Sequence, residues 1–221
     1  MESFSARQLI GLFRLIACRL SDARVELGLL DGPIGDADHG NSMAEGFAAV
    51  VRATAAADEQ MPGELMSIAA RSFLSAVGAT TGPLYAGAMM CAARRFASKP
   101  ALAPDDIAAL IPAFAEGIQQ RGKASPGDKT MMDVWAPAAR AVIEGRKRGL
   151  CALDQLARAE TAAIEGREAT RAMVASVGRA ARLGPRSLGH VDPGAASAVM
   201  IISATRDWLA AQSSCAPGGA V

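Results

Sequence analysis

Apolar residues recur at steps of three and four positions along almost the whole chain, which is the spacing of one face of an α-helix. The pattern is clearest in segments 9–20 and 107–118. Proline, which favours the first turn of a helix, stands near the start of several such repeats. No segment alternates as a strand would, so the sequence predicts an all-α fold. About eight helices are predicted, at residues 5–28, 41–58, 63–78, 83–98, 105–121, 130–146, 152–176 and 193–212.

The composition favours one domain over residues 1–212, followed by a disordered tail at 213–221. Hydrophobic residues make up 51% of the chain and aromatic residues only 4%, and the abundant alanines suit close helix packing in a bundle or barrel. With 23 basic and 22 acidic residues the net charge is +1, which gives no indication of a nucleic-acid partner. Four scattered cysteines fit a reducing cytoplasm, and no secretory leader or membrane span is predicted.

The most informative polar segment runs from Asp31 to Ser42. Asp31, Asp36 and Asp38 fall within eight residues among glycines and a proline, which argues for a loop. Carboxylates this close repel one another unless a cation lies between them, and oxygen ligands favour a hard divalent ion such as Mg²⁺. An Asp-rich turn, in which the side chains cap backbone N–H groups, is the alternative that this segment alone leaves open.

Three further polar loops interrupt the helical pattern. Loop 78–83 offers the hydroxyls of Thr80 and Thr81 at a helix start, which suits an anion, although this loop taken alone favours a simple Thr N-cap followed by proline. Loop 122–130 lacks the Walker A spacing, because Asp128 separates its glycine from its lysine. Its Gly, Lys and Thr are candidates for phosphate or ribose contacts, and a helix-capping turn is the alternative.

Loop 178–194 carries three arginines and a histidine and ends in an Asp-Pro helix start. Arginine suits bidentate phosphate contacts, whereas Arg182 is expected to be merely solvated. One chemistry accounts for all four loops. Carboxylates hold Mg²⁺, the metal bridges phosphate oxygens, and hydroxyls, helix N-termini and arginines surround the remaining negative charge. The sequence therefore predicts a nucleotide site for phosphoryl transfer on a helical scaffold.

The loop motifs together resemble the nucleotide-binding L subunits of dihydroxyacetone kinases. The match extends in order over nearly the whole chain and rests on four segments, which are Leu30–Gly40, Ser75–Leu84, Arg121–Met131 and Arg186–Ala195. The resemblance implies a barrel of eight antiparallel helices, with ADP or ATP and two Mg²⁺ ions bound by loops at one end.

The resemblance also implies roles for individual residues. Asp31, Asp36 and Asp38 would hold the metal ions. The phosphates would lie against His39, Gly40, Asn41, Ser42, Thr80 and Thr81. Gly122 and Met131 would border the adenosine, and the pocket would be closed by Arg179, Asp192 and Pro193.

The implied function is that of a kinase subunit that is active only with its partner. Phosphate would pass from Mg-nucleotide to a ketose held on a separate K subunit. A phosphotransferase-system phosphocarrier would rephosphorylate the bound ADP, and this variant is favoured here. The alternatives are a direct ATP-dependent dihydroxyacetone or ketotetrose kinase subunit, and a nucleotide-loaded regulatory module.

Overall fold

The computed structural model describes residues 3–214, and within them the fold is all-α, as the sequence predicts. Ten helices occur in this part of the chain. They are α1 (Ala6–Asp22), α2 (Arg24–Asp31), α3 (His39–Thr54), α4 (Pro62–Ala76), α5 (Thr81–Arg95), α6 (Pro104–Ala108), α7 (Leu110–Gly122), α8 (Met132–Lys147), α9 (Ala152–Ala169) and α10 (Pro193–Ser214). Two short 3₁₀ helices, Thr170–Ala172 and Ala180–Ser187, lie between α9 and α10.

Eight of the described helices form a closed ring. Each packs against the next in the order α1, α3, α4, α5, α7, α8, α9 and α10, and α10 returns to α1. The two short helices, α2 and α6, lie outside this sequence of neighbours. The predicted barrel is therefore observed, with ten helices in place of the predicted eight.

The two extra helices come from breaks that the apolar pattern does not show. The predicted helix 5–28 is broken at Ala23, where ψ is 5°, and 105–121 is broken at Ala109, where ψ is −8°. Leu20 and Leu27 are both buried on either side of the first break. The apolar spacing thus continues across a change in backbone direction, and periodicity alone cannot reveal it.

The C-terminal helix is longer than predicted. Helix α10 continues to Ser214, so the first two residues of the predicted tail at 213–221 are helical. Residues 215–221 lie outside the described part of the chain. None of the described helices combines the length and the low polarity needed to cross a membrane.

Aromatic side chains fill the interior of the ring. Phe47 and Phe73 contact each other edge to face, with ring centroids 5.3 Å apart. Tyr85 lies beside both of them and also contacts Trp135, at 6.5 Å between centroids. Burial of side chains of this size supplies much of the driving force for folding. The few aromatic residues of the chain are therefore concentrated where the helices meet.

Small residues bring neighbouring helix backbones together. At Gly117, in α7, a Cβ atom would lie 2.3 Å from the carbonyl oxygen of Gly87, in α5, and 2.7 Å from the Cα of Ala88. Both obstacles are backbone atoms, which cannot rotate away. The approach of α5 and α7 therefore requires glycine at this position.

We expect Gly117→Ala to lower the free energy of unfolding by about 1 to 3 kcal/mol, because the added methyl group forces two helix backbones apart. Urea denaturation followed by circular dichroism measures the effect. Gly28→Ala is the matched control, since a Cβ there meets nothing closer than 3.4 Å. The control should be neutral or slightly stabilising through its higher helix propensity. Equal stability of the two variants would contradict the packing argument.

Candidate functional site

A cavity of about 230 Å³ opens among four of the loops that connect successive helices. Its wall is formed by residues from the connections α2–α3, α4–α5, α7–α8 and α9–α10. Because these are alternate connections around the ring, they lie at the same end of the barrel. The polar loops singled out in the sequence are thus brought together, although Asp31 and Gly194, the first and last residues of the wall, are 163 positions apart in the chain.

Four helices begin at this cavity. The first residues of α3, α5, α8 and α10 are His39, Thr81, Met132 and Pro193, and all four line the wall. The N–H groups of a first helical turn have no partner within the helix, and the helix dipole places partial positive charge at the same end. The cavity is therefore suited to an anion with several oxygen atoms.

Asp31 fixes the geometry of the acidic loop. Its side chain is buried, and Oδ2 accepts hydrogen bonds from the backbone N–H groups of Asp38 (3.0 Å) and His39 (3.2 Å). Gly35 permits this approach, because a Cβ there would lie 2.0 Å from the other carboxylate oxygen, Oδ1. One oxygen of Asp31 therefore caps backbone N–H groups, which is the alternative that the sequence left open. Capping and metal ligation do not exclude each other.

The other two carboxylates of the loop, Asp36 and Asp38, are not in the cavity wall but adjoin Arg179, which is, and this position is called the rim below. One oxygen each of Asp31, Asp36 and Asp38 fall within 4.8 Å of one another. Burial and the neighbouring Asp36 raise the pKa of Asp38, while Arg179 opposes this rise. Arg179 forms an ion pair with Asp36, and its guanidinium Nη1 lies 3.8 Å from Asp38. Three clustered carboxylates beside an open cavity fit the oxygen ligands that Mg²⁺ prefers.

Two further titratable groups form part of the wall. His39 is buried, which lowers its pKa to about 4, so the imidazole is neutral near pH 7. Its Nε2 lies 2.9 Å from Oγ of Ser197, in α10. Asp192 caps α10, since its Oδ2 accepts a hydrogen bond from the N–H of Ala195 at 2.7 Å. Burial raises the pKa of Asp192 to about 7.

Lys129 has a role that the sequence did not indicate. Its side chain is 1% exposed, and Nζ donates hydrogen bonds to the carbonyl oxygens of Thr170 and His190, each at 2.5 Å. The lysine considered for a phosphate contact therefore ties the two ends of the α9–α10 segment to the α7–α8 loop. The backbone of Lys129 is in the left-handed region, with φ of 58°. The sequence does not show which carbonyl groups its side chain contacts.

The α7–α8 loop is itself held by two aspartates. Asp133 accepts hydrogen bonds from the N–H groups of Gly127 and Thr130. Asp128 accepts one from the N–H of Ser125 at 2.7 Å and one from the hydroxyl of Ser176 at 2.6 Å. A capping turn is thus present at the start of α8, but Asp133 and the hydroxyl of Thr130, which accepts from the N–H of Met132 at 3.1 Å, form it, and Asp128 does not. The loop forms one wall of the cavity and positions the segment that follows α9.

The structure brings most of the predicted site residues to the cavity. Those in its wall are Asp31, His39, Thr80, Thr81, Gly122, Met131, Arg179, Asp192 and Pro193. Asp36 and Asp38 lie at the rim. Arg182 is exposed, as expected of a solvated side chain.

Three predicted residues, Gly40, Asn41 and Ser42, are not part of the cavity wall. Gly40 lies where α3 packs closely on α2, since a Cβ there would be 2.0 Å from the carbonyl oxygen of Arg24. The side-chain oxygen of Asn41 accepts a hydrogen bond from Nε of Arg24. The packing of α2 against α3 therefore accounts for the contacts of two of these residues.

We expect Lys129→Met to lower the free energy of unfolding by about 1.5 to 3 kcal/mol, because two buried carbonyls lose a charged donor. Cleavage by trypsin or chymotrypsin within residues 173–189 should also become faster. Lys123→Met is the matched control, since Lys123 lies in the same loop but is exposed. If both variants were cleaved as slowly as the unmodified protein, the hydrogen bonds of Lys129 would not be what fixes the segment 173–189.

Comparison with known proteins identifies the family of this chain. The family model described as the DAK2 domain matches residues 33–207. The ADP-binding subunit DhaL of the PEP-dependent dihydroxyacetone kinase of Escherichia coli is 36% identical over 173 residues, which are 78% of this chain and 82% of that subunit. The ADP-binding subunit DhaL of the PTS-dependent dihydroxyacetone kinase of Lactococcus lactis is 33% identical over 192 residues, 87% of this chain and 92% of that one.

A solved structure shares the fold. The crystal structure of the dihydroxyacetone kinase from C. freundii in complex with AMP-PNP and Mg²⁺ aligns with a TM-score of 0.70 and 21% sequence identity. The alignment covers 94% of this chain and 35% of that one. At this identity the likeness establishes the all-helical fold alone. From the family model and the curated relatives together, the chain belongs to the DAK2-domain family, among the ADP-binding subunits of dihydroxyacetone kinases.

Proposed function

We propose that the cavity binds a Mg-nucleotide, ADP or ATP, and that this chain is the nucleotide-binding subunit of a dihydroxyacetone-type kinase. The observation that carries the proposal is the meeting of three carboxylates and four helix N-termini at one cavity. Carboxylates attract cations and helix N-termini attract anions, so a ligand that satisfies both carries both charges. A metal-bound polyphosphate is such a ligand.

The carboxylates of Asp31, Asp36 and Asp38 would hold Mg²⁺, with two ions as the proposed number. When bound, the metal would neutralise negative charge on the phosphoryl group being transferred. Asp31 is positioned for this by its two backbone hydrogen bonds, so its free oxygen needs little rearrangement.

The remaining wall residues would orient the nucleotide. Thr80 and Thr81 offer hydroxyl groups and the first N–H groups of α5 to phosphate oxygens. Arg179 would exchange its ion pair with Asp36 for a phosphate contact once a metal ion compensates the carboxylates. Gly122 and Met131, which also line the cavity, would border the adenosine. His39 is neutral and would serve as a hydrogen-bond donor, not as a general base.

We further propose that the acceptor ketose is held by a separate K subunit in the cytoplasm, and that the bound ADP is rephosphorylated in place by a phosphotransferase-system phosphocarrier. The names of the two relatives, a PEP-dependent and a PTS-dependent dihydroxyacetone kinase, support this cycle over direct use of free ATP. In such a cycle the nucleotide acts as a resident cofactor.

We expect Asp36→Asn and Asp38→Asn each to weaken Mg²⁺-dependent ADP binding by at least about tenfold, because each removes a charged metal ligand at a cost of about 1.4 kcal/mol or more. Isothermal titration calorimetry with and without Mg²⁺ measures the effect. Helical content should stay unchanged, since both side chains are about half exposed. Asp22→Asn, at an exposed site on α1, is the control. Unchanged Mg-ADP affinity in both rim variants would refute the metal assignment.

The protein as purified is expected to carry ADP with bound Mg²⁺ if the nucleotide is a resident cofactor. Native mass spectrometry followed by nucleotide release identifies the ligand and counts the metal ions. An empty protein that binds added Mg-ATP reversibly would favour direct ATP-dependent transfer. An empty protein that binds neither nucleotide would contradict the proposed function.

A further inference from the structure

Arg179 is the basic side chain that pairs with the acidic loop. Its guanidinium forms an ion pair with Asp36, and Nη1 lies 3.8 Å from an oxygen of Asp38. Within residues 3–214, no other basic side chain forms an ion pair with either of these carboxylates or with Asp31. A positive charge therefore already lies beside the carboxylates that would hold a metal ion. Because like charges repel, a cation that binds both rim aspartates has to displace the guanidinium.

The same arginine also lines the cavity, so a bound phosphate would offer its guanidinium a second set of acceptors. The ion pair with Asp36 lies at the surface, where 46% of the Arg179 side chain and 50% of the Asp36 side chain are exposed. Ion pairs this exposed to solvent are weak. A guanidinium makes stronger, bidentate contacts with a phosphate. Exchange of the carboxylate for a phosphate is therefore favourable once another cation compensates Asp36.

The backbone around Arg179 is anchored, whereas its side chain has room to move. Gly178 and Gly184, on either side of it, have positive φ of 75° and 53°, and a Cβ at either position would meet nothing within 4 Å. Ser187 ties the segment together, since its hydroxyl accepts a hydrogen bond from the N–H of Ala175 at 2.9 Å and donates one to the carbonyl of Gly184 at 2.7 Å. Arg179 thus projects from a positioned segment with open space beside it.

These charges make the binding of a metal ion and of a nucleotide depend on each other. In the empty site the guanidinium compensates the carboxylates, so free Mg²⁺ has to compete with it. A nucleotide without metal meets three carboxylates, which repel its phosphates. When both ligands bind, the carboxylates pair with the metal and Arg179 is released to the phosphates. Each ligand therefore removes an obstacle to the binding of the other.

We propose that Arg179 couples metal binding to nucleotide binding, because it pairs with the rim carboxylates in the empty site and moves to a phosphate when Mg²⁺ takes its place. The proposal rests on the proposed function for the identity of the two ligands. It assigns Arg179 two opposite effects, since the arginine weakens the binding of Mg²⁺ alone and strengthens the binding of the Mg-nucleotide. By linkage, ADP strengthens Mg²⁺ binding by the same factor by which Mg²⁺ strengthens ADP binding.

Arg179→Met separates the two effects, because methionine keeps a long side chain and has no charge. We expect nucleotide-free Arg179→Met to bind Mg²⁺ about two- to fivefold more tightly than the unmodified protein, as expected when a half-exposed competing ion pair is removed. Titration with MgCl₂, followed by the ¹H–¹⁵N signals of the Asp36 and Asp38 amides, measures this affinity. A damaged fold would lower the affinity, so a gain distinguishes the coupling role from a merely structural one.

The same variant should bind Mg-ADP about tenfold more weakly, because a charge-assisted contact to a phosphate is lost. Isothermal titration calorimetry at saturating Mg²⁺ measures this second affinity. Arg182→Met is the matched control, since it removes the same charge from an exposed side chain of the same segment. At physiological ionic strength the control should leave both affinities unchanged, because exposed charges without a direct contact are screened.

An unchanged or lower Mg²⁺ affinity in Arg179→Met would overturn the coupling. An equal gain in Arg182→Met would overturn it as well, since it would show a general effect of charge. Unchanged Mg-ADP affinity in Arg179→Met would overturn the move to a phosphate. If Arg179→Met binds Mg²⁺ more tightly but neither it nor the unmodified protein binds Mg-ADP, the competition for the carboxylates stands and the proposed function fails.

Discussion

The carboxylate of Asp31 is the constraint on which the candidate site depends. Its two hydrogen bonds to the start of α3 join the end of α2 to the beginning of the next helix, and they fix the acidic loop between them. A buried carboxylate at a helix N-terminus is favoured both by the unpaired N–H groups and by the helix dipole. With Asp31 in place, Asp36 and Asp38 are held close to it, at the cost of mutual repulsion.

That repulsion is balanced by positive charge from several directions. Arg179 contributes a guanidinium group at the rim, and the first turns of four helices contribute partial charges in the wall. The closed ring of helices explains why these groups meet. Alternate connections of such a ring lie at one end, so every helix that begins there directs its N-terminus toward the same space. A Mg-nucleotide would replace the internal pairing and stabilise the folded state through binding.

Buried polar groups also connect the site to α10 and to the segment between α9 and α10. Lys129 joins the α7–α8 loop to both ends of the segment between α9 and α10, through two backbone carbonyls. Ser197 joins α10 to the start of α3, because its Oγ lies 2.9 Å from Nε2 of His39. Groups of this kind are costly to bury unless fully paired, and their pairing favours one arrangement of the loops over others. The apolar core stabilises the barrel, whereas these polar contacts determine the shape of the cavity.

The sequence by itself determined the all-α class, the approximate position of most helices and the acidic loop with its three carboxylates. These features depend on neighbours in the chain, since helical spacing, helix-start prolines and clustered aspartates are local patterns. The family resemblance added the nucleotide and the barrel, and most residues carried over from it lie in or beside the cavity. The helix breaks at Ala23 and Ala109 escaped prediction, because the apolar spacing continues across them.

Only the tertiary structure decided which polar groups meet. Lys129 contacts backbone carbonyls 41 and 61 residues away, and Ser197 reaches His39 from 158 residues along the chain. Asn41, adjacent to the acidic loop in sequence, bonds to α2 instead of lining the cavity. Tyr85 and Trp135 are indistinguishable from ordinary core residues in a pattern of apolar positions. Such contacts depend on how the ring of helices closes, and local sequence patterns do not predict which distant residues this closure brings into contact.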